Sequence, residues 1–374
     1  MVDAVYIHIP FCKTICSYCD FCKVYYEEKL VDQYLDALGE EITKRYRNEE
    51  INTLYIGGGT PSVLSIKQLK KLFTILKKFH MSDQFEMTFE ANVDSLDEEK
   101  IALLKEVGVN RVSIGMETIS PKLQKILGRK TDKEKLYNIV HLLKKYSITN
   151  INVDLIYAIK DETMDDLNTD LDFLLTLDIP HISTYSLIIE PHTLLYLNEA
   201  KPIDEEIDYQ MYQLIRKRLR EKDYIQYEIS NFAKKGFSSL HNTKYWDNLY
   251  YYGFGVGAAS YLLDERSMNT RSIPKYISGN YQKEVEKITY HDKIEYEIIL
   301  GFRKKEGINK QRFYQKYQVE LDKFYDYQDL VKKKVLCENE NFLYLNEEYY
   351  YVMNEVIEEF LSSSKMWYNL KKRW

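Results

Sequence analysis

The chain has 374 residues, room for a barrel-sized domain and a smaller companion. Hydrophobic residues make up 45% and charged residues 29%, with a formal net charge of -6 and basic residues scattered rather than blocked, which argues against disordered and nucleic-acid-binding classes. No apolar run approaches membrane-spanning length and no basic-then-apolar leader opens the chain, so the expectation is a cytoplasmic protein without a membrane segment.

In chain order, strand-like runs fall at 4–9, 53–56, 85–89, 111–115, 150–157, 183–189 and 224–229. Helical spacing fills the gaps. Residues 28–47 place Leu30, Tyr34, Leu35, Leu38 and Ile42 on one face, and 132–146, 163–177 and 204–221 read similarly. Ser95 with Glu98 reads as a capping box opening a further helix. Such alternation means parallel strands with helical crossovers. The fold class is therefore α/β, a partial (β/α) TIM-like barrel, with a doubly wound open sheet as the rival. A barrel gathers its chemistry at the carboxyl ends of its strands. Cys12, the loop 57–60, Glu90, Glu117 and Tyr157 all follow strand-like runs closely.

The alternation ends near 235, which divides the chain into a barrel domain, 1–235, and a C-terminal mixed, mostly helical domain, 236–374. Residues 236–260 are rich in Gly, Tyr and Asn. Beyond them come helices at 292–302 and 308–317, a strand at 343–345 and a helix at 351–361. The closing KMWYNLKKRW, 365–374, reads as a solvated end.

Four of the five cysteines lie within eleven residues, at 12, 16, 19 and 22. A cytosolic disulfide framework is not expected, and such clustering points to metal or redox chemistry. Cys12, Cys16 and Cys19 form C-x3-C-x2-C. Three thiolates on one loop suit three irons of a 4Fe–4S cubane and leave the fourth iron for a small chelating ligand. The amino and carboxylate groups of S-adenosylmethionine (SAM) fit that role, and an electron from the cluster can break a C–S bond of its sulfonium. A four-cysteine zinc site that adds Cys22 is the competing account. Ferredoxin spacing does not match the x3 interval. Cys22 reads equally as a spare thiol, a substrate contact or a small filler, and Cys337 as a buried apolar filler.

IGGGTPS at 56–62 exposes backbone that could meet the amino group of SAM, or forms only a tight turn. Glu90 and Asp154 could accept ribose hydroxyls, or merely end strands in water or in salt bridges. Arg129 could fork onto a carboxylate, or lie on the surface. In His241-Asn242-x-x-Tyr245-Trp246, a helix would put His241 and Tyr245 on one face. Imidazole is an iron ligand and aromatics suit a flat macrocycle, but on the chemistry alone a capped loop with core-filling rings is the simpler account, since lone histidines are usually structural.

Read together, YIHIPFC-x3-C-x-YCDF, IGGGTPS, FEAN, NRVSIG, LGR, DLIY, YEISNFA, HNxxYW and YYGFGVGAAS resemble, in order and from Tyr6 to about Leu361, the HemW-type heme chaperones of the radical SAM superfamily. These are relatives of the oxygen-independent coproporphyrinogen dehydrogenases of HemN type. The resemblance implies a 4Fe–4S cluster on Cys12, Cys16 and Cys19. It implies SAM contacts at Tyr6, Gly58, Gly59, Thr60, Glu90, Glu117, Arg129 and Asp154. It also implies heme at the HNxxYW segment through His241, and delivery of heme to client hemoproteins. Only eleven residues precede Cys12, and Asp20 and Phe21 follow Cys19, as in the chaperones. A radical SAM oxidoreductase acting on coproporphyrinogen III or another small molecule is the alternative, and a cluster protein with decayed radical chemistry a third. The chain departs from the family pattern at Glu117, where glutamine is usual. It departs again at 157–163, where YGLPGQT has become YAIKDET, and at Ala259, where GAHS has lost its histidine.

Overall fold

The computed structural model describes residues 2–364; the tail 365–374, read above as a solvated end, lies outside them. The described chain forms two compact units. Among the described residues, the first comprises 2–225, 232–241 and 250–287, and the second 226–231, 242–249 and 288–364. This division differs from the boundary expected at 235, because residues 250–287 fold with the first unit.

The first unit is built on parallel strands β1 (Ala4–Ile9), β2 (Glu50–Gly58), β3 (His80–Asn92), β4 (Arg111–Glu117), β5 (Asn150–Tyr157), β6 (His181–Ser186) and β7 (Tyr252–Phe254). They lie in the order β7-β1-β2-β3-β4-β5-β6, with every register parallel. The crossovers carry α1 (Glu28–Arg45), α2 (Ile66–Leu76), α3 (Glu98–Glu106), α4 (Pro121–Leu127), α5 (Lys133–Lys145) and α6 (Met164–Thr176). After β6 come the short α7 (Leu194–Leu197), then α8 (Glu205–Arg220) and α9 (Leu240–Trp246). This is the expected partial barrel.

Alternation along the strands divides the two faces. Leu54, Ile56, Phe89, Val112, Ile114, Ile151 and Val153 are buried and apolar. The positions between them are polar: Thr53, Thr88, Arg111, Ser113 and Asn152 are buried as well, so the interior face is a polar lining.

Four expectations are corrected here. The alternation does not stop at 235, since β7 pairs in parallel with β1 as an edge strand. The run 224–229 keeps only Ile225–Gln226 as strand, with a separate Asn231–Ala233. Ser95 does not cap α3: it ends a 3-10 turn, and Asp97 accepts the Lys100 N–H instead at 2.9 Å. Reciprocal capping boxes occur at Ser65/Gln68, Thr163/Asp166 and Thr289/Asp292. Cys337, expected to be buried, is half-exposed on a strand beside Tyr344.

The second unit packs helices Tyr290–Gly301, Lys310–Tyr317 and Met353–Ser362 around Phe302, Phe313, Tyr325 and Phe360, with a small antiparallel sheet over Ile308–Asn309, Phe342–Leu345 and Leu336–Glu338. Phe302 and Phe360 meet edge to face at 5.0 Å. Among the described residues no helix is long and apolar enough to cross a membrane.

Candidate functional site

β1 runs straight into the cysteine loop. Phe11–Cys12 pairs in parallel with Val24–Tyr25, so the loop between them is held at both ends. Its middle is fixed by Ser17, whose N–H donates to the Leu127 carbonyl (2.9 Å) and whose hydroxyl donates to the Ile126 carbonyl (2.7 Å). All five cysteines are free thiols. Among the described residues no three cysteine sulfurs lie within 4.8 Å of one another. Sulfurs around one tetrahedral zinc would stand about 3.8 Å apart, given Zn–S bonds of about 2.3 Å. Burial pushes the Cys12 thiol up to about 11 and raises Cys16 and Cys19 too, so metal must displace protons to bind. Cys22 stands apart: its thiol donates to the Arg271 carbonyl at 3.6 Å.

The glycine loop leaves β2 directly beside Cys12. A Cβ on Gly59 would fall 2.9 Å from the Cys12 sulfur and 2.8 Å from the Pro10 carbonyl carbon, so only glycine lets the two loops touch. Gly58 has φ +117° and lies against the His8 ring. The Thr60 hydroxyl donates to the Cys12 sulfur at 3.6 Å. Tyr6 and His8 extend the contact: His8 Nε2 lies 2.7 Å from the Cys22 carbonyl and must carry the proton, so Nδ1 accepts from the Tyr6 hydroxyl at 2.9 Å. Burial lowers His8 to about 4 and keeps it neutral.

The acids follow on the neighbouring strands. Glu90 accepts the Tyr55 hydroxyl (2.6 Å) and the Gly58 N–H (2.9 Å), yet burial pushes it up to about 7. Asp154 accepts the Asn152 amide (2.8 Å) and is raised by burial. Glu117 sits at φ 58° and meets Arg129 Nε at 2.7 Å; burial pushes its carboxyl up to about 7 against that cation. Arg129 also donates to the Asn92 side chain and to the Gly115 carbonyl (2.9 Å). A cavity of about 490 Å³ opens here, lined by Cys16, Asn92, Gln124 and Arg129 among others, a volume suited to a small molecule.

Thus the cysteine loop, Tyr6, the glycine loop and Glu90 are directly linked, and Arg129 and Glu117 form a pair beside Cys16. Asn92, Tyr18 (whose hydroxyl donates to Glu117 at 3.3 Å), Tyr55 and His8 belong to the same network and are not singled out by the sequence. Asn92 could have been found, since it closes the FEAN run.

His241 has a different place from the one expected. α9 is helical as required, but His241 is 1% exposed. Its Nδ1 lies 2.9 Å from the Thr53 hydroxyl, its ring packs on Tyr55 at 5.2 Å, and its N–H donates to Glu86 at 3.0 Å. Glu86 also accepts the Leu240 N–H at 3.0 Å, so it caps the head of α9. The imidazole is thus an interior group at the level where β1 begins. Within the second unit, the Trp246 ring lies 6.0 Å from the Arg303 guanidinium.

A parallel α/β fold with three free cysteines at the mouth of its first strand defines a radical SAM protein. A family profile described as Radical SAM superfamily matches residues 6–174, and one described as HemN C-terminal domain matches 288–348. The chain is 37% identical to the heme chaperone HemW of Lactococcus lactis over 369 residues, covering 96% of this chain and 97% of that one. It is 36% identical to the heme chaperone HemW of Bacillus subtilis over 378 residues, covering 96% and 99%. The structure of coproporphyrinogen III oxidase (HemN) from Escherichia coli superposes with a TM-score of 0.85 at 20% identity, covering 96% of this chain and 89% of that one, a likeness of fold. The chain belongs to the HemW family. Membership of the radical SAM superfamily implies a 4Fe–4S cluster and SAM.

Proposed function

We propose that this protein binds heme and hands it to client hemoproteins in the cytoplasm, as a chaperone carrying a 4Fe–4S cluster and SAM. The observation that carries this is identity to heme chaperones along nearly the full length of both chains. Cys12, Cys16 and Cys19 hold the cluster. Tyr6, Gly58, Gly59, Thr60, Glu90, Glu117, Arg129 and Asp154 form the SAM site.

The residues present fit these groups. The donor set is three free thiols on one anchored loop, and the bare Gly59 leaves room beside Cys12 that a side chain would fill. When bound, the cluster supplies an electron to the sulfonium of SAM. The chain positions. Thr60 orients the Cys12 sulfur, and Glu90 and Asp154 offer carboxylate oxygens to hydroxyls. Arg129, held by Glu117, Asn92 and Gly115, keeps a cation beside Cys16.

The test is anaerobic reconstitution with iron, sulfide, SAM and heme binding measured on one sample, followed by incubation with coproporphyrinogen III. Heme uptake without conversion is expected. Conversion of the porphyrinogen would replace the chaperone reading with an oxidoreductase.

A further inference from the structure

The three proposed cluster ligands are not held alike. Cys12 lies in a strand pair, and the stretch around Cys16 is anchored through Ser17 to Leu127 and Ile126. From Cys19 to Cys22, among the described residues, no carbonyl accepts a backbone N–H. Side chains take all four instead. The Lys23 ammonium donates to the Cys19 carbonyl and to the Phe21 carbonyl (3.3 Å), His8 to the Cys22 carbonyl (2.7 Å), and Arg271 Nη2 to the Asp20 carbonyl (2.7 Å). Lys23 and His8 flank the cysteines in sequence. Arg271 arrives from 251 residues away, beyond the segment 6–174 that the Radical SAM profile matches.

Arg271 stands on a fixed post. Strands Ala259–Leu262, Glu265–Asn269 and Gln282–Lys287 form an antiparallel sheet in the first unit, and Arg271 follows the middle one. Thr270 beside it is buried. Its N–H donates to the Tyr281 carbonyl (2.7 Å), its carbonyl accepts the Gly257 N–H (2.9 Å) and its hydroxyl accepts the Ser272 N–H (3.2 Å). The Arg271 carbonyl accepts the Cys22 thiol at 3.6 Å, and a Cβ on Gly257 would fall 2.8 Å from the Cys22 Cβ. Loop and sheet thus meet through two bonds and one close approach.

The Asp20 carbonyl and the Phe21 N–H belong to one planar peptide, so a grip on the oxygen also sets where the N–H points. That N–H acts on the Cys19 sulfur: burial raises the Cys19 thiol, and the Lys23 ammonium and the Phe21 N–H oppose the rise. We propose that Arg271 is a positioning residue for the third cysteine, which by holding the Asp20 carbonyl keeps the Phe21 N–H on the Cys19 sulfur. The inference rests on the cluster reading above. A donor on a ligating sulfur favours the reduced cluster, and the partners that orient a ligand help to retain the metal. An arginine that only tied the sheet to the loop would steady the fold and leave the sulfur alone.

The test reconstitutes the cluster anaerobically in the full chain and its variants. It follows iron loss to a chelator and the reduction potential read by electron paramagnetic resonance. Arg271→Met is expected to lose iron about tenfold faster and to show a more negative potential. Arg271→Lys keeps a cation and a donor and should recover most of both. Cys22→Ser keeps a donor for the Arg271 carbonyl and should match the unaltered chain. Thermal unfolding of the unloaded proteins separates a general loss of stability from a change at the sulfur. An unmoved potential in Arg271→Met overturns the inference, whatever its unfolding midpoint. Iron loss in Cys22→Ser as fast as in Cys19→Ser would make Cys22 a ligand and overturn it too. An unaltered chain that takes up no cluster overturns the cluster reading and this inference with it.

Discussion

The Thr60 hydroxyl donates to the Cys12 sulfur at 3.6 Å, joining the glycine loop to a proposed cluster ligand by a side chain. Hydrogen bonds to ligating sulfur raise a cluster's reduction potential. Thr60→Val should therefore keep its iron but show a potential more negative by about 40 mV, the equivalent of one net bond of about 1 kcal/mol. Thr60→Ser should keep the original value. A redox titration followed by electron paramagnetic resonance reads both, and an unmoved potential in the valine variant would refute the role.

The turn at 157–163 holds two non-glycine residues in the left-handed region, Ala158 at φ 59° and Asp161 at φ 64°. Both stand where the resembling family pattern carries glycine. The backbone has kept its path and the side chains bear the strain. Ala158→Gly is expected to stabilise the protein by about 0.5–1 kcal/mol, the relief of strain less the added freedom of the unfolded chain. Asp161→Gly should gain less, since aspartate tolerates this conformation better. Thermal unfolding decides, and a lowered midpoint for the alanine position would contradict the account.

His241 packs on Tyr55 and lies 2.9 Å from the Thr53 hydroxyl. His241→Ala should cost about 2–4 kcal/mol, from lost packing on Tyr55 and an unsatisfied Thr53. Glu86→Gln should also destabilise, by about 1–3 kcal/mol, because a carboxylate caps α9 better than an amide. Urea unfolding at one pH measures both; an unchanged midpoint in the histidine variant would show that the ring is dispensable to the fold.

Glu228 gives the second unit a dependence on pH. It is 1% exposed, and burial pushes its carboxyl up to about 7 although the Ser230 N–H and the Asn231 amide donate to it. Its folded value lies above the unfolded value near 4.5, so between the two the native chain holds the extra proton. The stabilisation is full below pH 4.5 and lost as pH rises through 7, a span of up to about 3 kcal/mol. Glu228→Gln removes this slope. The difference in unfolding free energy between the two proteins at pH 5 and pH 8 tests it, and equal slopes would count against it.

The sequence was legible where a signal was local. β1 and β5 fall at the expected positions because apolar strands there are bounded by polar residues. β3 runs longer than expected because its first half, HMSDQ, is extended but half-exposed and carries no apolar pattern. β7 escaped notice because three residues of YGF, set among Gly and Tyr, read as a loop until β1 supplies their partner. The cysteines and glycines could be paired in advance by spacing. The Glu117–Arg129 pair could not, since the two residues come from different elements and meet only in the folded chain. Nor could the burial of His241, because no local pattern places a helix end against β2 and β3.

Glu86 and His241, both buried, hold the head of α9 against β2 and β3. A change at either residue is therefore shared by one helix and two strands.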